Sequence, residues 1–159
     1  MSGASCYDAS ALVRLYVPTE EKADVVVKYF NTHPTKYTTV FCFFEALSVL
    51  KGKWGRGDLL KEGYFKAVQD LTSWYRVWSQ NIPDLKFTER DTFADAKRIA
   101  ERWSLDMSDA FQILSVKAGF FAPLVGDSKT VLVTADRKLG QAARGEALRV
   151  WSVLDEAPP

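Results

Sequence analysis

The chain has 159 residues, 47% of them hydrophobic and 26% charged, which is the size and make-up of one globular domain, residues 1–159, with a core that needs no disulfide staples. Its 21 basic and 20 acidic side chains leave a net charge of +1. That excludes the bulk positive field of many nucleic-acid binders, so any polyanion must be held locally. No uncharged stretch approaches the ~18 apolar residues of a membrane span, and Met1 to Tyr7 shows no basic segment followed by an apolar one; a soluble, cytoplasmic protein is expected.

Short strand-like runs alternate with longer helical ones, without repeat or linker, and that alternation predicts an α/β fold. Ala4 to Tyr7 is a weak strand ended by Asp8. Leu12, Val13, Leu15, Tyr16 and Val17 then make an apolar helix stopped by Pro18, and Glu20 to Phe30 an amphipathic one with Ala23, Val26, Val27 and Phe30 inward. Lys36 to Thr39 reads as a second strand. Thr39 caps a helix with a stripe of Val40, Phe43, Phe44, Leu47 and Leu50, expected to end in Gly52 and Gly55. Asp58 to Gln80 is a long helix with an aromatic stripe, read as core or partner face, broken before Pro83. Leu85 to Thr88 is expected as a third strand, followed by helices over Thr92 to Trp103 and Ser108 to Phe121. Thr130 to Thr134 is the clearest strand, an unbroken apolar run suited to a sheet covered on both faces. A helix over Lys138 to Ala143 and a strand near Arg149 to Trp151 close the order.

Cys6 and Cys42 stand far apart among apolar or small neighbours, and His33 is the one histidine, so a zinc site is not expected. The cysteines read as buried structural thiols and His33, before Pro34, as a solvent-facing imidazole.

The acidic residues carry more. Asp8 and Asp136 each follow a predicted parallel strand, and in open α/β sheets the working crevice lies beyond the carboxyl ends of the strands where strand order reverses. Each also precedes a helix, where Asp is a favoured cap. Glu45 lies beside a phenylalanine-rich stripe, an expensive place for an unpaired buried carboxylate. Asp109 falls in the first turn of a helix, with Asp106 or Ser108 as its cap. If the four converge, pairs of charges ~5 Å apart repel by about 3 kcal/mol at an effective dielectric of 20, and protonation or a cation must relieve them. Oxygen ligands without His or Cys favour Mg²⁺ or Mn²⁺, and such a site activates water against a phosphodiester. Ser10 and Thr134, each two residues from an acid, are placed either to orient a carboxylate or as local turn hydroxyls.

The ordered set Tyr7-Asp8-Ala9-Ser10-Ala11-Leu12-Val13, Phe44-Glu45-Ala46, Ser108-Asp109-Ala110 and Val133-Thr134-Ala135-Asp136-Arg137-Lys138-Leu139 resembles PIN-domain ribonucleases, especially VapC-type toxins of toxin–antitoxin pairs. The resemblance spans nearly the whole chain. It implies a three-layer Rossmann-like fold with a parallel sheet ordered 3-2-1-4-5 and Mg²⁺- or Mn²⁺-dependent endoribonuclease activity. It further implies a homodimer inhibited by a cognate antitoxin, with Asp8, Glu45, Asp109 and Asp136 as the catalytic, metal-binding quartet and Ser10 and Thr134 as its accompanying hydroxyls. Asp106 falls outside the quartet, as a helix cap. The first strand is poorer in Val, Ile and Leu, and the segment from Tyr64 to Trp78 richer in aromatics, than the family leads one to expect.

Lys51, Lys53, Trp54, Arg56 and Lys61 form a basic, glycine-containing segment beyond the helix of Glu45, read either as a contact for RNA or an acidic antitoxin tail or as a solvated helix end. Arg14, Arg137 and Lys138 are further basic candidates near the acids, read as contacts for RNA or the antitoxin or as balancing the acids when metal is absent. Two other readings stay open: a Mg²⁺-dependent Rossmann-like phosphatase with Asp8 as nucleophile, although Ser10 stands where a second Asp is usual, and a PIN-like module that binds RNA or a partner without cutting. A phospho-receiver is disfavoured by the single acid at Asp8, and no Gly-rich phosphate loop with Lys-Ser/Thr occurs.

Overall fold

The computed structural model describes residues 3–122 and 130–159. Strand β1 (Ser5–Tyr7) runs straight into α1 (Ala9–Tyr16), followed by α2 (Ala23–Thr32), β2 (Lys36–Tyr37), α3 (Val40–Arg56) and α4 (Lys61–Val77). A 3₁₀ turn at Ser79–Asn81 precedes α5 (Arg90–Trp103), α6 (Met107–Ala118), β3 (Val131–Thr134), α7 (Arg137–Gly145) and β4 (Arg149–Ser152). The described strands form one parallel sheet in the order β2-β1-β3-β4.

Register decides which residues meet on each face. Tyr7 lies beside Val133 and Val133 beside Trp151, while Cys6, Leu132 and Val150 make the adjacent row. Because successive side chains point to opposite faces, the first row joins a core with Leu12, Val26, Leu50 and Leu71 from α1 to α4. The second joins Ile99, Ile113 and Leu139 from α5, α6 and α7. The molecule is thus a helix–sheet–helix sandwich, each fully buried large apolar side chain worth roughly 1.5–3 kcal/mol. Both cysteines are free and buried, as expected. Among the described residues no helix is long and apolar enough to cross a membrane.

The α/β class is as expected, but the sheet has four described strands, not five. Leu85 to Thr88 is a pair of turns, with the Phe87 amide donating to the Leu85 carbonyl (2.8 Å) and that of Glu89 to Lys86 (2.9 Å). The edge it was expected to extend is met instead by one hydroxyl: Ser79 Oγ accepts from the Thr38 amide (2.9 Å) and donates to the Thr38 carbonyl (3.1 Å). Thr39 caps α3 as expected. The helix passes through Gly52 and Gly55, however, and stops at Gly57, whose φ of 82° is cheap only for glycine. Phe44, expected inward, is 60% exposed, and Leu60, Phe65 and Trp78 also leave the core while Leu71 is fully buried. His33 is half-buried and stacked on Tyr29, not free in solvent.

Candidate active site

The chain leaves β1 toward β2 on one side and later places β3 on the other, so the reversal of strand order falls between β1 and β3, and the place where open α/β sheets bind ligands lies beyond their carboxyl ends. Asp8 sits there. Its amide donates to the Val133 carbonyl (3.1 Å), and its side chain caps α1 by accepting from the Ala11 amide (2.9 Å). The Ser10 hydroxyl lies 2.7 and 2.9 Å from its two oxygens, and Thr134 Oγ1 donates to Oδ2 at 2.6 Å. The same two hydroxyls accept from the Ala135 and Asp136 amides, both at 2.9 Å. Ser10 and Thr134 therefore orient the carboxylate and stitch β1 to β3. Burial pushes the Asp8 carboxyl up to about 6 against these hydrogen bonds, and the charge of Asp136 adds to the rise.

The other acids come from separate segments. Asp136, exposed, follows β3 and caps α7 through the Leu139 amide (3.0 Å). Glu45 stands on α3 and is exposed, not pressed into the phenylalanine stripe. Desolvation raises its carboxyl, and Asp8, Asp106 and Asp136 raise it further. Asp109, half-buried in the first turn of α6, is pushed up to about 7 by desolvation and then by Asp106, Asp136, Glu45 and Asp8. The quartet thus shares one electrostatic neighbourhood. Asp106 caps α6, accepting from the Asp109 amide (2.8 Å) and Ser108 Oγ (2.9 Å). Its charge also bears on Glu45 and Asp109, so beyond its expected role as a cap it is a fifth acid of the same neighbourhood.

A carboxylate set of this kind fits a hard divalent cation by chemistry: every donor is oxygen, and the charges that act most on each acid are other carboxylates. Among the described residues no three His, Cys, Asp or Glu side chains stand close enough together to ligate one ion. Asp8, Asp106 and Asp136 are each turned onto the amides of the helix they cap.

Several of the basic residues have partners of their own among the described residues. Arg14 donates to the Ser10 carbonyl and the Glu21 carbonyl (both 2.9 Å) and faces Glu20 at 3.7 Å, while Lys53 pairs with Glu20. Arg137 forks onto Asp155 (2.9 Å), and Arg56 meets Asp58 (3.2 Å). Lys51 lies 4.0 Å over the Trp54 ring, which is itself stacked on Tyr64 at 4.9 Å. Each of these cations is engaged with its own surroundings.

The sequence reading missed Gln112, which is fully buried. Its Oε1 accepts from Thr39 Oγ1 (2.8 Å) and Cys42 Sγ (3.2 Å), and its Nε2 donates to Cys6 Sγ (3.2 Å) and the Tyr7 carbonyl (3.4 Å). It joins the end of β1, the start of α3 and the first half of α6, the segments that carry Asp8, Glu45 and Asp109. An amide inside the apolar run Phe111-Gln112-Ile113 was the available signal.

Fold and acids together define a Rossmann-like α/β protein with carboxylates from separate segments at its strand-order reversal. The chain is similar to PAE2754 from Pyrobaculum aerophilum, a PIN-domain protein of known crystal structure, with a TM-score of 0.56 and 21% identity over 96% of this chain and 85% of that one. The fold is PIN-like on that likeness. No family profile matches the chain, and no curated protein matches it.

Proposed function

We propose that this protein is a divalent-metal-dependent endoribonuclease acting as the toxin of a toxin–antitoxin pair, with a cognate antitoxin and a second copy of the chain as partners. The observation that supports the nuclease reading is the electrostatic coupling of acids from four segments at the ligand-binding end of a PIN-like sheet, where among the described residues the charges acting on Asp8, Glu45 and Asp109 are other carboxylates. Asp8, Glu45, Asp109 and Asp136 would hold Mg²⁺ or Mn²⁺. When bound, the ion supplies charge neutralisation at the phosphodiester and eases deprotonation of the attacking water. Asp8 is fixed for this by Ser10, Thr134 and the Ala11 amide. The proton affinity of Asp109, raised by desolvation and by the neighbouring acids, is what a bound cation would relieve.

The test is cleavage of cellular RNA in Mn²⁺, mapped by end sequencing, for the wild type, Asp8→Asn and Asp109→Asn. Discrete cuts in the wild type, reduced about 100-fold or more in both variants, are expected on the scale of lost catalytic groups. RNA bound but uncut by the wild type would leave a non-catalytic module, and a phosphorylated Asp8 would replace the nuclease with a phosphatase.

A further inference from the structure

Away from the acids, a cavity of about 540 Å³ opens at the β2 edge of the sheet, lined by Phe30, Pro34, Thr35, Lys36, Trp74, Trp78 and Ile82. It belongs to the amino-terminal side of the strands, since Lys36 is in register with Ser5, three residues before Asp8. Its size is that of a small-molecule site. The walls are aromatic and braced: Phe30 and Trp74 meet edge-to-face at 5.3 Å, and Phe30 is braced again by Tyr7 at 5.2 Å. Trp78, at the end of α4, stays 66% exposed beside the opening.

One charge faces this apolar space. Among the described residues Lys36 is the one charged residue of the lining, with Nζ 4.0 Å over the Phe30 ring and one donor given to the Phe30 carbonyl. An ammonium has three donors, so two remain. Among the described residues no carboxylate pairs with it, and desolvation lowers its proton affinity. A cation held against aromatic walls, without an acidic partner, is complementary to a ligand that brings the missing negative charge and a flat apolar body.

We propose that this cavity binds a small planar aromatic carboxylate, its ring between Trp78 and the Phe30–Trp74 wall and its carboxylate on Lys36 Nζ. The site is independent of the acidic cleft and of the nuclease reading.

The experiment is calorimetric titration of the full chain with 2-naphthoate, its neutral amide 2-naphthamide, and decanoate. Saturable one-to-one binding of 2-naphthoate with a Kd below about 1 mM is expected, weakened about tenfold or more by Lys36→Met, by Trp78→Ala and by exchange for the amide. The exposure of Trp78 makes Trp78→Ala harmless to folding, which circular dichroism verifies. Absence of saturable binding, equal affinity in Lys36→Met, or decanoate binding as tightly as 2-naphthoate would each overturn the proposal.

Discussion

Asp8 joins two demands that pull in opposite directions. As a cap and as an anchor for Ser10 and Thr134 it serves the fold, yet as a buried charge near Asp136 it works against it. The folded protein holds the Asp8 proton until about pH 6, whereas the unfolded chain releases it near 3.9. Between those values the folded state binds more protons, so this contribution favours folding below about pH 4 and is lost as pH rises through about 6. A difference of that size in proton affinity corresponds to roughly 3 kcal/mol. Asp8→Asn keeps an oxygen for the Ala11 amide and removes the charge. In EDTA at pH 7.5 this variant should melt several degrees above the wild type, and the gap should close below about pH 4. Equal melting temperatures across that range would show that Asp8 is not destabilised by its surroundings. A stabilised but inactive variant is the signature of a functional residue.

At the scale of elements, local rules account for most of what the sequence revealed. Apolar periodicity placed the seven described helices, and Asp8, Thr39, Asp106 and Asp136 marked four helix starts because a side-chain oxygen so placed has an amide to accept from. The five-strand sheet failed where a tertiary contact decides: no pattern near Leu85 discloses that Ser79 meets the β2 edge. The outward turn of Phe44 likewise follows from which neighbours α3 has, not from its own spacing. The acids were legible one by one, since each stands at a strand or helix end. Gln112, which ties their segments together, was not, because a single amide has no spacing to recognise. Gln112→Leu retains the volume but strips Thr39 Oγ1 and the Tyr7 carbonyl of a buried partner, at a cost of about 1–3 kcal/mol. On the proposed nuclease reading, cleavage by this variant should fall chiefly in kcat, because the acids lose their mutual placement; an unchanged kcat would reduce Gln112 to a core residue.

Glu146 shows the opposite electrostatic sign in an ordinary structural joint. Its side chain is 2% exposed and receives Lys117 (2.6 Å), Arg102 (2.9 Å) and Trp103 Nε1 (2.9 Å), so α5, α6 and the end of α7 are clasped by one carboxylate. The preceding Gly145 lies against the Trp103 ring, where a Cβ has no room. Hydrogen bonds from Lys117 and Trp103, with the nearby cations, bring the Glu146 carboxyl down to about 2. A depressed carboxyl contributes stability above its unfolded value of about 4.3 and loses it as pH falls through about 2. The exposed ends of Arg102 and Lys117 reduce the contribution to the order of 2 kcal/mol. Glu146→Gln should therefore melt about 4–8 °C below the wild type at pH 7, the difference shrinking as pH is lowered from about 4 toward 2. A pH-independent difference would mean that packing around Trp103, not the charge, holds the joint.

The whole molecule places a stable sandwich behind an unstable surface. Two cores grip the sheet from opposite faces, and beyond the carboxyl ends of β1 and β3 desolvation and mutual repulsion raise Asp8, Glu45 and Asp109 together. Anything that brings positive charge to that end should stabilise the entire fold, since the segments bearing the acids belong to both faces. A cation that binds only the folded chain stabilises it by about 2.7 kcal/mol at a hundred times its Kd, which for a protein of this size is a rise of roughly 5–10 °C. Saturating Mn²⁺ should produce that rise at pH 7.5, EDTA should reverse it, and Asp109→Asn with Glu45→Gln should blunt it. Because Asp8 and Asp109 hold protons up to about 6 and about 7, and an ion must displace them, the apparent Mn²⁺ affinity should weaken as pH falls from 8 toward 6. Melting temperatures indifferent to Mn²⁺ across that range would mean that the acids do not form a cation site, whatever the likeness of the fold.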